Sequence, residues 1–173
     1  MKKIVLLGYM GCGKSVISKK LSNFIKIPFV DLDEMIEKKC QMPIEKIFST
    51  KGELYFRKTE NQLLIELLED KCNLIISTGG GTPCYFNNLE LLKNKNVISI
   101  YLKSSIDTLF DRLINEKKNR PLIAKLKDED LKEFIAKHLF ERSYFYNQAT
   151  YTVNVDTKNS EEIINNIIKI VNS

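Results

Sequence analysis

The pattern Gly8-x-x-x-x-Gly13-Lys14-Ser15 follows the short apolar run Lys3-Ile4-Val5-Leu6-Leu7 and leads into residues 14–25, which carry helical spacing. Strand, glycine loop and helix in that order form a phosphate-binding loop. The glycines let backbone N–H groups close around phosphate oxygens, and the helix start adds a positive dipole. The lysine reaches the β and γ phosphates, and the hydroxyl can ligate Mg²⁺. By average composition the pattern arises by accident in roughly 1% of chains this long. It confines the chain to folds in which a buried strand delivers its C-terminal end to a phosphate.

The rest of the chain alternates to match. The first helix places Val16, Ile17, Leu21, Phe24 and Ile25 on one side and stops at Pro28. Residues 29–33 read as a second strand that ends in Asp31 and Asp33, and helices are expected over 34–39 and 44–68, the latter broken near Thr50-Lys51-Gly52. A third strand, 73–77, ends at Gly79-Gly80-Gly81, with a helix within 87–93 and a fourth strand at 97–102. Ile106, Leu109, Phe110, Leu113 and Ile114 mark a helix, residues 128–146 a long one, and 150–155 a fifth strand. Ser160 opens a last helix with Ile163, Ile164, Ile167, Ile168 and Val171 buried. Apolar strands separated by helices imply a parallel sheet covered on both faces, and such sheets bind ligands beyond the carboxyl ends of their strands. Residues 8–15, 31–33 and 79–81 therefore share one crevice. With no repeat and no linker, residues 1–173 read as a single domain.

Composition removes several classes. At 43% hydrophobic side chains the chain is too apolar for disorder, and no apolar run reaches the roughly 18 residues of a membrane span. The first apolar run leads into the glycine loop rather than a cleavage site, so the expected location is the cytoplasm. The net charge of +5 is matched by Lys117, Lys118, Arg120, Lys125 and Lys127, in a segment without an acidic residue. One local cationic spot suits a nucleotide phosphate, whereas nucleic-acid binders spread their excess along a face. Cys12, Cys40, Cys72 and Cys84 lack C-x-x-C spacing, and the single histidine, His138, sits on an apolar helical stripe, so no zinc site is expected. Cys12, at a helix start, is expected to react with thiol reagents and to be protected by ATP.

Asp31 and Asp33 flank Leu32, so on an extended segment both carboxylates point the same way, one toward Mg²⁺ through water and the other toward a hydroxyl acceptor. Arg57 and Glu60 lie three residues apart on a helix and can pair; alone, such a pair reads first as a solvated one. Three glycines after a buried strand mean that something approaches the main chain closely.

Taken together, G-x-M-G-x-G-K-S at residues 8–15, D-x-D at 31–33, F-R-x-x-E at 56–60, G-G-G at 79–81 and R-P-L at 120–122 resemble shikimate kinase, in the family's order and over nearly the whole chain. The resemblance implies an α/β, three-layer sandwich of the P-loop NTPase type, with a five-stranded parallel sheet in the order 2-3-1-4-5. It implies a mobile lid at about 115–127 and an acceptor-binding region at about 31–61. The implied reaction moves the γ-phosphoryl of ATP to the 3-hydroxyl of shikimate, with one Mg²⁺, in a monomer that needs neither nucleic acid nor membrane. By position, Asp33, Lys14 and Arg120 are catalytic. Gly11, Cys12, Gly13, Lys14, Ser15, Val16, Arg112 and Arg120 bind ATP, with Arg112 against adenine. Asp33, Arg57, Gly79, Gly80, Gly81 and Arg142 bind shikimate, and Ser15 and Asp31 serve the metal. Two departures stand out. No aspartate precedes the triple glycine, which the family also lacks, and Thr82 stands where small apolar residues are typical. Rival readings are a gluconate or nucleoside-monophosphate kinase and a catalytically silent nucleotide-binding relative.

Overall fold

Strand β1 (Lys3–Leu7) is apolar at consecutive positions because both of its faces are covered. Ile4 and Leu6 join one core cluster, and Val5 and Leu7 join a second on the opposite face. The computed structural model describes residues 2–172 apart from 118, 119, 121 and 157. Around β1 lie β2 (Phe29–Asp31), β3 (Leu74–Ser77), β4 (Val97–Lys103) and β5 (Tyr151–Asn154). All pairings are parallel, and the five strands run in the order β2-β3-β1-β4-β5, the order expected.

Helices cover both faces. Residues of α1 (Lys14–Ile25), α5 (Ile106–Glu116), α6 (Asp128–Tyr146) and α7 (Ser160–Asn172) pack on the side of Ile4 and Leu6. Those of α2 (Leu32–Cys40), α3 (Ile44–Glu69) and α4 (Asn88–Leu92) pack on the side of Val5 and Leu7. Helix α3 breaks at Gly52, whose φ of 81° and ψ of 166° are non-helical, as expected of a glycine there. Among the described residues no helix is long and apolar enough to cross a membrane.

Three expectations are corrected. The second strand ends at Asp31 rather than Asp33, because the Asp31 side chain accepts a hydrogen bond from the Asp33 N–H and starts α2 at Leu32. On α1, Val16 and Phe24 are 56% and 65% exposed, since the sheet-facing stripe runs through Ile17 and Leu21 instead. Ile168 and Val171 are half-buried, not buried. His138 packs as expected, its ring 4.1 Å from that of Phe134; burial, then the nearby Arg142 charge, lowers its pKa.

The sheet sets the site. Leu6 pairs with Ser77, and Asp31 pairs with the same Ser77 across the other edge, so β1, β3 and β2 end side by side. The glycine loop, the triple glycine and the first carboxylate therefore leave the sheet as neighbours.

Candidate active site

The glycine loop leaves β1 at Gly8, whose φ is +146°. A Cβ there would stand 2.7 Å from the Cys12 sulfur and 2.8 Å from the Leu102 carbonyl oxygen, so only glycine fits. Helix α1 begins at Lys14 with no side chain capping it and no acidic residue in its first turn. Its leading N–H groups and the positive end of its dipole are thus free for an anion. Lys14 curls back over the loop, its ammonium donating to the carbonyls of Gly8 at 2.8 Å and Tyr9 at 3.0 Å. From α5, Arg112 donates to the carbonyls of Gly11 and Cys12, both at 3.2 Å, and so rests against the loop. Cys12, expected to be reactive at this helix start, is 2% exposed and belongs to the hydrophobic core, which argues against ready access of a reagent.

Ser15 and Asp31 form the next layer. The Ser15 hydroxyl donates to Asp31 Oδ2 at 2.6 Å and stands 3.4 Å from the Ser77 hydroxyl. Asp31 thus serves twice, capping α2 through Oδ1 and facing the loop through Oδ2. A hydroxyl beside a carboxylate is a hard-oxygen donor pair. It fits Mg²⁺, which keeps much of its water and takes its remaining ligands from one or two protein oxygens and substrate phosphates.

Asp33 faces inward two residues on, in the first turn of α2. Burial, then the charges of Asp31 and Glu60, push its carboxyl up from 3.8 to about 6, with Lys14 and Arg57 pulling the other way. It lines a cavity of about 200 Å³ together with Gly13, Lys14, Ser15 and Arg120. It also lines a second cavity of about 820 Å³, bounded by Arg57, Gly79, Gly81, Arg142 and the apolar Phe48 and Phe56. Four residues, Met10, Asp33, Gly80 and Arg120, border both. The two spaces meet at a carboxylate and a guanidinium.

The wall of the larger cavity explains the triple glycine. A Cβ on Gly81 would lie 2.7 Å from an Arg57 nitrogen, and one on Gly79 would lie 2.9 Å from an Asp33 oxygen and 3.0 Å from a Glu60 oxygen. At Gly79 and Gly81 the close approach is made by the protein's own charged side chains, and at Gly80 by the Met10 backbone nitrogen, 3.3 Å from where a Cβ would lie. Glu60 is fully buried, which overturns its reading as half of a solvated pair. It accepts from Arg57 Nη1 at 2.9 Å, and the Arg57 guanidinium also lies 4.0 Å from the centre of the Tyr85 ring. Burial works against the Arg57 charge, but the charge and hydrogen bond of Glu60, with the charges of Tyr85 and Glu53, together raise its pKa. Arg142 reaches in from α6, above the Tyr9 ring and beside Gly80.

The cationic segment is less bare than its composition suggests. Lys117, Arg120 and Lys127 pair with Asp128, Glu116 and Glu129, which flank it. Glu116 holds Arg120 through Nη2 at 2.6 Å and Nε at 3.0 Å, while Lys125 lines the larger cavity. Lys118 and Pro121, also part of the expected lid, lie outside the described residues.

Asp33, Arg57, Gly79, Gly80, Gly81 and Arg142 thus converge on one cavity, and Gly11, Gly13, Lys14, Ser15 and Val16 on its neighbour. Sequence reading missed Ser77, Tyr85 and Glu116 and undervalued Glu60. For Ser77 the signal was a hydroxyl at the end of a buried strand; for Glu116, its i, i+4 spacing to Arg120.

The family model for shikimate kinase matches residues 10–172. A shikimate kinase of Flavobacterium johnsoniae is 53% identical over 171 residues, which cover 99% of each chain. Among solved structures, a shikimate kinase from Bacteroides thetaiotaomicron superimposes with a TM-score of 0.91 at 34% identity, covering 99% of both chains. One from Acinetobacter baumannii, in complex with shikimate, superimposes with a TM-score of 0.87 at 30% identity, covering 99% of this chain and 93% of that one.

Proposed function

Because the chain belongs to the shikimate kinase family, we propose that it phosphorylates the 3-hydroxyl of shikimate with ATP, yielding shikimate 3-phosphate and ADP on the route to chorismate and the aromatic amino acids. One observation supports this most: the edge shared by the two cavities carries both Asp33 and Arg120. A phosphoryl group held in the smaller cavity and a hydroxyl held in the larger would meet there.

Phosphoryl transfer asks for position and charge neutralisation more than for covalent chemistry. The N–H groups from Gly11 to Val16 would cradle the phosphates, with Lys14 leaving its carbonyl partners for phosphate oxygens. Arg120 would leave Glu116 for the transferring group as the lid closes and excludes water. Mg²⁺, held by Ser15 directly and by Asp31 through water, would neutralise phosphate charge. Arg112 would lie against adenine. In the larger cavity, Arg57 and Arg142 would grip the acceptor's carboxylate, a match for planar guanidinium groups. Backbone groups of Gly79, Gly80 and Gly81 would take its other oxygens, and Asp33 would accept the proton of the attacking hydroxyl. We take the working unit to be a cytoplasmic monomer of one domain.

The test is ADP release with Mg²⁺ and ATP against shikimate, quinate, gluconate, AMP and CMP. Shikimate should stimulate turnover far above the rest; equal turnover on AMP or gluconate would replace this reading. Chelating Mg²⁺ should abolish turnover. The pH profile supplies a further check. Asp33 must be ionised to accept a proton, and its carboxyl titrates near 6. Accordingly kcat/KM for shikimate should fall roughly tenfold per unit as the pH drops below about 6. A profile flat down to pH 5 would remove Asp33 from the base role.

A further inference from the structure

Thr82 follows directly on the triple glycine, and its surroundings give the hydroxyl a task. The residue opens a short 3₁₀ turn, Thr82–Cys84, directly after the triple glycine. It is fully buried, and its Oγ1 donates to Glu60 Oε1 at 2.6 Å. The other Glu60 oxygen, Oε2, accepts from Arg57 at 2.9 Å. The turn is itself tied down, since the Thr82 carbonyl accepts from Asn88 Nδ2 at 2.7 Å, and Asn88 Oδ1 accepts from Asn61 Nδ2 at 2.7 Å. A continuous hydrogen-bonded chain therefore runs from α4 through Thr82 and Glu60 to Arg57.

We propose that Thr82 is a positioning residue for the acceptor site: its hydroxyl holds one oxygen of Glu60, leaving the other to set the direction of the Arg57 guanidinium. The inference rests on the reading of Arg57 as the group that grips the acceptor's carboxylate. A carboxylate can take a guanidinium with one oxygen or with both. With Oε1 occupied by Thr82, Glu60 engages Arg57 Nη1 through Oε2 alone, Glu53 Oε1 takes Nε at 3.4 Å, and Nη2 is left beside Gly81 at the cavity wall. Without the hydroxyl, Oε1 is a buried charged acceptor lacking that donor, and the nearest remedy is to turn toward Arg57 and engage it twice. Donors that should meet the acceptor would then be drawn inward. Gly81 permits the resting geometry, because it offers no Cβ to the guanidinium.

The test compares Thr82→Val, Thr82→Ala and Thr82→Ser in the full chain with Mg²⁺ and ATP. Val and Ala should raise KM for shikimate by roughly tenfold, the scale of a lost hydrogen bond to a buried charge. KM for ATP should stay within about twofold, since the phosphate loop lies beyond this chain of bonds. Ser, which restores the hydroxyl, should return KM for shikimate to within about twofold of the parent. In a Glu60→Gln background the effect of Thr82→Val should shrink, because the residue acts through Glu60. An unchanged KM for shikimate in the folded Val or Ala variant would overturn the proposal, as would failure of Ser to restore it or an equal rise in both KM values. A parent enzyme without shikimate-dependent ADP release would instead bring down the functional reading, so the two failures are distinguishable.

Discussion

Replacing Asp33 with asparagine is expected to lower kcat by about 10²–10⁴-fold while making the protein more stable. The two effects share a cause. A carboxylate that takes the proton of a hydroxyl must be ionised, yet burial and the charges of Asp31 and Glu60 oppose ionisation and raise its pKa to about 6. The sign follows from proton binding. Between about 4 and 6 the folded chain holds a proton on Asp33 that the unfolded chain has released, so stability falls as pH rises through that window. Above pH 6 the folded state carries the full cost, on the order of 2–3 kcal/mol for a shift of this size. Asparagine removes the charge and leaves the Asp33 backbone N–H on its Asp31 cap. Its melting temperature should exceed the parent's by several degrees at pH 7, and the gap should close as the pH is lowered toward 4. Near-parental turnover by the asparagine variant would mean that Asp33 is not the proton acceptor.

The second large effect is expected at Arg57. Arg57→Met should reduce kcat/KM for shikimate by roughly 30- to 5,000-fold, the range for a buried charged partner left alone. It should also destabilise the fold by about 3–5 kcal/mol, because Glu60 is fully buried and loses its partner. These consequences can be separated. Glu60→Gln introduced beside Arg57→Met removes the stranded charge while keeping an oxygen for the Thr82 hydroxyl, so stability should largely return and shikimate turnover should not. Recovery of turnover along with stability would show that Arg57 supports the fold alone. A denaturant titration and a shikimate titration on the same three proteins decide the matter.

Much of this was legible in the chain because it is written locally. Apolar runs at strand length, the spacing of Ile17 and Leu21 in α1, the stop at Pro28 and the break at Gly52 depend on near neighbours in sequence, and the elements fall where they predict. The glycine loop is equally local: Gly8, Gly13, Lys14 and Ser15 fall within eight consecutive residues. Errors came where a side chain had a choice of partner. Asp31 and Asp33 suit an extended segment until Asp31 is seen capping α2. Cys12 reads as a reactive thiol from its place at a helix start, yet the folded chain buries it in the core.

What the sequence determined by itself is the alternation of strands and helices and the glycine loop between the first strand and the first helix. Hydrophobic period and the positive φ of Gly8, Gly11 and Gly13 are properties of short stretches of backbone. The meaning of Arg57 and Glu60 was decided by tertiary structure alone. At a spacing of three residues the pair looks the same whether water or protein surrounds it, and the folded chain brings Gly79, Gly81 and Thr82 from the end of β3 against it and buries Glu60 completely. Held in this way, the same two charges form part of the wall of a cavity that meets the smaller cavity at Asp33.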